Sequence, residues 1–278
     1  MTEPSLHFQR FIRNFFSLAA CFYLYSCTLT LESFAIVQIG KLNPSAIYFG
    51  VRQTSLFASN GGSLESKRPS IPFNAVTLVS RGMDAFRDGD VKKSVELFDA
   101  AEDASGGKLR PYLWQRGISY YYLDEFHKGS NQFRNDVSVN PLDVEEIVWD
   151  IACLNRLQTF TATSTLNNSN KEPLSLPPGK KDRRKIMGYV YSLFRNEGTE
   201  QDLALAGFGR NYGSNKIILS PSDEFYSLFY LGLYCDSKGE FTKAAQYMTE
   251  AITTEYASKS KDYMVAVAKV HNKVRGWF

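Results

Sequence analysis

The sequence predicts an all-α protein, a solenoid of antiparallel helix pairs closed by a C-terminal capping helix. The first observation is a recurring glycine inside an apolar helix pattern, at Gly82, Gly117 and Gly232. The second is a fixed spacing after each glycine. Twelve positions on stands a small residue, Ser94, Gly129 or Ala244; sixteen on stands a large one, Phe98, Phe133 or Met248. Small residues on both helices let two backbones approach, and the large residue fills the space beside them. The third is the absence of any convincing stretch with the period-two alternation of a strand. One such pair cannot bury its own apolar face, so neighbouring pairs must stack.

The first unit, 75–108, reads as helices over about 74–87 and 91–104, broken at Asp88-Gly89-Asp90 and ended by Gly106-Gly107. The second, 110–141, reads RPYLWQRGISYYYLDEFHKGSNQFRNDVSVNP, with Pro141 placed where it can turn the chain but not lie inside a helix. A helix over about 143–158 opens on Asp143 and Glu146, at capping-box spacing. It reads as the first helix of a third unit whose second helix is displaced. Residues 159–182 are polar, with three prolines, and read as a linker. Helices come next at about 183–195 and, capped by Thr199, 200–208. The glycine-rich run Gly207 to Gly213 falls one residue short of a dinucleotide loop and has no strand before it, so it reads as a turn. Ser220-Pro221 starts the last full unit, 225–256, with helices near 222–237 and 241–255. Residues 260–274 form the capping helix, with Trp277 folding back onto the stack.

On these residues, 75–108, 110–141 and 225–256 resemble tetratricopeptide (TPR) repeats. The wider segment 74–277 resembles plant and algal plastid TPR-like proteins. WQRGISYYYLDEF, NPLDVEEIVWDIAC, EFYSLFYLGLYCDSKGEF and DYMVAVAKVHNKVRGW carry that resemblance. More distantly it is similar to bacterial lipoproteins that use TPR repeats as adaptors for hydrolases and proteases. The resemblance implies a protein or peptide partner and a non-catalytic scaffold or adaptor role, in assembly or maintenance of a protein complex.

Residues 1–32 do not read as part of this fold. Arg10 and Arg13 precede eighteen uncharged, largely apolar residues, 14–31, which Glu32 ends. That is a signal peptide or a signal anchor, and an uncleaved 14–31 would attach the chain to a membrane. Residues 33–70 hold seven Ser, four basic residues and one acidic residue, Glu65. This transit-like composition, with Ser33-Phe34-Ala35 at the junction, resembles the bipartite plastid leader of algae with secondary plastids. The expected location is the plastid; the alternative is the secretory pathway or a membrane.

Of the 32 Lys/Arg and 29 Asp/Glu, six and three lie in residues 1–70, which accounts for the whole net charge of +3. The domain at 71–278 is neutral, which disfavours non-specific nucleic-acid binding. Its two His (His127, His271) and two Cys (Cys153, Cys235) show no metal-ligand spacing, and there is no G-x-S-x-G or phosphate loop. The sequence therefore predicts no enzyme, no metal and no cofactor. The sequon Asn167-Asn168-Ser169 reads as chance in a plastid protein, and the basic run Lys180 to Lys185 as a solvated helix start.

Register places Val79, Met83, Phe86, Trp114, Ile118, Tyr121, Tyr122, Val148, Asn155, Tyr226, Phe229 and Leu233 on the concave side, as a protein-binding groove. Either the chain's own helices fill it as core, or it takes an apolar peptide or partner helix. Arg81 and Arg116, each just before a packing glycine, stand where TPR repeats usually carry Leu. An arginine so near the seam needs a partner. The expectation is a structural ion pair from Arg116 to Asp136; the alternative is that both arginines grip a ligand carboxylate.

Overall fold

The structure, a computed structural model, describes residues 71–161, 171–209 and 220–277. The leader 1–32, the segment 33–70, the junction at Ser33, the sequon at Asn167 and most of the Gly207–Gly213 run lie outside the described residues. Eleven α-helices and one 3-10 turn are found among the described residues, and no strand. The helices are α1 (Phe73–Arg87), α2 (Val91–Ala104), α3 (Trp114–Tyr122), α4 (Phe126–Val139), α5 (Val144–Thr161) and α6 (Lys185–Phe194). They continue as α7 (Glu200–Phe208), α8 (Pro221–Lys238), α9 (Phe241–Thr253), the short α10 (Glu255–Lys259) and α11 (Tyr263–Arg275). None of the described helices is long and apolar enough to cross a membrane.

Sequence neighbours pack as pairs, α1 on α2, α3 on α4 and α8 on α9. The packing glycines sit at these seams. A β-carbon on Gly82 would lie 2.9 Å from the Phe98 ring, on Gly117 2.7 Å from Phe133, and on Gly232 2.8 Å from Met248. The small residues on the second helices are equally confined. Ser94 is fully buried, Ala244 likewise, and a β-carbon on Gly129 would meet the Cys153 sulfur at 2.9 Å. The turns repeat as well. Gly89, Asp124 and Gly239 all take left-handed backbone, at φ 82, 57 and 82°. Glycine takes that conformation freely; Asp124 is one of the few side chains that tolerate it.

Caps set the helix ends. Asp90 accepts from the Lys93 amide on α2, and Asp143 from the Glu145 and Glu146 amides on α5. Thr199 and Asp202 form a reciprocal capping box on α7. On α5 only the Asp143 half of the expected box forms. The glycine-rich stretch departs from a simple turn at its start: Gly207 lies inside α7, pressed against Ser227 of α8.

The stretch 159–182, expected as a loop or linker, departs from that at its start, where helix α5 runs on to Thr161; residues 171–182 hold no helix or strand and are pinned to the stack. Lys171 Nζ reaches Asn131 at 2.7 Å, Arg134 donates to the Glu172 carbonyl at 2.6 Å, and the Leu174 amide donates to Asp150 at 3.2 Å. Trp149 of α5 is the hub of the core, with its ring 5.3 Å from Tyr121, 6.1 Å from Phe133 and 6.3 Å from Phe229. It joins α3, α4 and α8.

Candidate functional site

Helix α11 packs across the aromatic residues of α1 and α3. Tyr263 lies 5.8 Å from Phe86 and edge-on to Trp114 at 5.5 Å. His271 Nδ1 is 3.0 Å from the Tyr122 hydroxyl, and Lys273 Nζ donates to the Asp88 carbonyl at 2.6 Å. Phe86, Ile118, Tyr121, Val148, Phe229 and Leu233 are fully buried, and Met83, Tyr122 and Asn155 nearly so. Val79, Trp114 and Tyr226 are half-buried against the same core, and Tyr226 donates to Asp262 at 2.7 Å. Of the two readings of the predicted groove residues, the geometry supports the one in which the chain's own helices cover them as core. The aromatics among them pack against the chain's own C-terminal helix, because α11 brings the apolar face Tyr263, Met264, Val267 and Val270 that fits them.

A polar network ties this closure. Asp236 of α8 accepts from Tyr121 at 2.6 Å and from Arg275 Nε at 3.1 Å. His271 Nε2 lies 3.7 Å from Asp236, and Arg275 also reaches Asp124 at 3.3 Å. Burial keeps the His271 imidazole below its ordinary value, hence neutral, although Asp236 pulls the other way. Burial opposes ionised Asp236, but His271, Arg275 and Tyr121 outweigh it and hold that carboxyl below the usual range. Burial and then Asp236 push Tyr121 and Tyr122 well up. These residues are 115 and 149 positions from their partners, and no local spacing in the sequence signals them.

The predicted Arg116–Asp136 ion pair is also corrected. Arg116 is buried, but it reaches back to α2: Nη1 lies 2.8 Å from Asp99 and Nη2 2.5 Å from Glu102. Gln132 stands between it and Asp136. Its carbonyl accepts from Arg116 Nε at 2.9 Å and its amide donates to Asp136 at 2.9 Å. Pro141 is exposed in the turn after α4, as expected of a helix terminator. Arg81, the counterpart one unit earlier, is exposed and makes no hydrogen bond or ion pair among the described residues.

One metal-like cluster gives no signal in the sequence, because Glu200 stands 35 residues before Cys235. Glu200, Cys235 and Glu240 bring ligand atoms within 4.8 Å of one another. The Lys243 ammonium already bridges the two carboxylates, 2.7 Å from Glu200 and 3.2 Å from Glu240. Burial, then Glu200, pushes the Cys235 thiol up to about 12, so it stands protonated. Cys153 is a buried thiol on α5. In the basic run, Arg184 is bound to Asp182 and Glu145, while Lys180, Lys181, Arg183 and Lys185 are exposed. No family model, curated protein or solved structure matches this chain.

Proposed function

We propose that the chain is a non-catalytic scaffold of the TPR type, which holds a partner protein on a rigid stack of helix pairs. The observation that carries this is the repeated seam. Gly82 against Phe98, Gly117 against Phe133 and Gly232 against Met248 are the same contact made three times, with the same left-handed turn closing each hairpin. Repeat stacks of this kind present extended surfaces on which partners bind. The residues nearest to an acid–base pair, His271 and Asp236, are fully buried and tied to Tyr122 and Arg275, so no substrate reaches them.

The leader composition supports import into a plastid and a role in assembly or maintenance of a complex there. The apolar run 14–31 supports a second reading, a secreted or membrane-anchored adaptor that recruits a protease or hydrolase. Locating a C-terminally tagged protein and sequencing its mature N-terminus separates them. A plastid signal with an N-terminus inside 33–70 supports the first; an intact 14–31 segment at a membrane supports the second. Cross-linking in the cell tests the scaffold role itself, which fails if the protein is recovered without any protein partner.

A further inference from the structure

We propose that the basic corner at the start of α6 rests on an anionic membrane surface, through the phosphate headgroups of its lipids. This goes beyond the scaffold reading and does not depend on it. Lys180, Lys181, Arg183 and Lys185 fall within one short run. All four are exposed, and none makes a side-chain hydrogen bond or ion pair among the described residues. The acids beside them are engaged already. Arg184 lies 3.0 Å from both Asp182 and Glu145, and its charge also acts on Asp143. Those three acids are half-buried, so the outward side of the corner is cationic.

Other exposed cations are matched within the chain. Arg87, Lys93, Lys128 and Lys259 each pair with an acid one helical turn away. One turn beyond Lys185 stand Gly188 and Tyr189, and α6 carries no acid along its whole length. Like charges gathered at a helix start repel one another and the partial positive charge of the helix's own first amides. The fold gains nothing from placing them together. An anionic surface outside the chain relieves that repulsion.

The side chains and the openness of the corner select the kind of anion. Nothing lies within 4 Å of where a side chain on Gly188 would begin, and Tyr189 is 47 % exposed. Three of the four cations are lysines, compact point charges, whereas recognition of one discrete carboxylate or phosphate favours the arginine fork. Point charges on open surface suit a plane of spread negative charge. An exposed tyrosine suits the headgroup zone, where its ring meets apolar tails and its hydroxyl stays wet. The loop that leads to the corner is tied down as well. The Leu176 amide donates to the Tyr191 hydroxyl of α6 at 3.1 Å, and the Leu174 amide to Asp150 at 3.2 Å. Nucleic acid is disfavoured, because the domain at 71–278 has no basic excess beyond this corner.

The test is co-sedimentation of the full chain with vesicles of phosphatidylcholine carrying about 30 mol % phosphatidylglycerol, against vesicles of phosphatidylcholine alone. The apolar run 14–31 and its flanking Arg10 and Arg13 are present in every sample, so differences between variants carry the result. The wild type is expected to prefer the anionic vesicles, and to lose that preference as salt rises from about 0.1 M to 1 M. Each cation near the surface contributes about fivefold to partitioning. Lys180→Gln, Lys181→Gln, Arg183→Gln and Lys185→Gln in one chain should therefore lower it about a hundredfold or more. Lys92→Gln, Lys108→Gln, Lys261→Gln and Lys269→Gln remove the same charge from exposed positions elsewhere and should preserve the preference. Both sets lack ion-pair partners among the described residues, so both chains keep the wild-type melting temperature. Equal losses in the two variants would reduce the effect to net charge and overturn the proposal. So would equal partitioning of the wild type into both kinds of vesicle. Capture of polyglutamate by the corner, without any preference for anionic vesicles, would assign it to an acidic protein instead.

Discussion

The Phe133 ring occupies the space that a β-carbon on Gly117 would need, 2.7 Å from it. Two opposing effects decide what Gly117→Ala does. Alanine in a helix interior gains about 1 kcal/mol over glycine. Overpacking a closed seam costs about 1–3 kcal/mol. Phe133 is fully buried and stacked near Trp149, so its ring cannot yield. Gly117→Ala is expected to destabilise the protein, read as a lower denaturant midpoint, with Phe133→Leu in the same chain recovering part of the loss. At Gly232 a β-carbon would meet Met248 Cγ at 2.8 Å and the Met248 backbone nitrogen at 3.3 Å, so Gly232→Ala is expected to destabilise as well. No loss at either site would refute the seam argument.

The Arg116 cluster gives a sharper outcome. Replacing Arg116 by Leu leaves the Gln132–Asp136 chain without its cation and Glu102 with Arg110 alone, which is expected to cost about 3 kcal/mol in urea unfolding. Exchanging charges between Arg116 and Asp136 does not restore this, since Gln132 separates the two. Arg116→Lys, which keeps a cation beside Asp99 and Glu102, is expected to lose less than Arg116→Leu. Rescue by the Asp136 exchange, with no gain of Arg116→Lys over Arg116→Leu, would reverse the assignment.

The contrast between Gly117 and Arg116 marks what is legible in the sequence. The hairpins are, because each rests on a local period and a local turn: helices expected over 74–87 and 91–104 form at Phe73–Arg87 and Val91–Ala104. The Arg116 partner is not, because reasoning within one hairpin looks forward to α4, whereas stacking brings α2 from the preceding unit. The groove is hidden for the same kind of reason. Register shows which residues face inward, but not that α11 returns from the chain end to meet them. Trp149, Asp236 and Arg275 carry no local signal, since their partners are set by the stack.

Glu146 predicts an unusual pH dependence. Its side chain is buried and its Oε2 has no hydrogen-bond partner among the described residues. Burial, followed by the charges of Asp143, Asp136 and Glu145, pushes its carboxyl from 4.5 up to about 10. The folded state therefore holds this proton more tightly than the unfolded chain. The stabilisation is complete below the unfolded value and is lost as pH rises towards 10. His271 and Asp236 act oppositely, with folded values below the unfolded ones, so their contribution is lost as pH falls. Glu146→Gln removes only the first effect. It is expected to raise stability at pH 8 by about 1–3 kcal/mol and to change it little at pH 4. Thermal melts of both proteins across that range check this, and parallel curves would contradict it.

The packing of α11 on Phe86, Trp114 and Tyr122 predicts that these residues are core. Tyr263, Met264, Val267 and Val270 are all buried there, and each such side chain contributes about 1.5–3 kcal/mol when removed from water. Their sum approaches the whole stability of an ordinary domain. Deleting residues 263–278 should therefore leave a chain that binds hydrophobic dyes and has lost its cooperative melt. A peptide of residues 260–278 added in trans is expected to restore the melt, because it returns the face together with Arg275 for Asp236. Asp236→Asn in the full chain is the milder break. It leaves Arg275 without its buried carboxylate, so amide exchange along α11 should quicken before exchange in α3 and α4. A truncated chain that stays folded, free of dye and as stable as the full one would mean that the groove is open and α11 only rests on it.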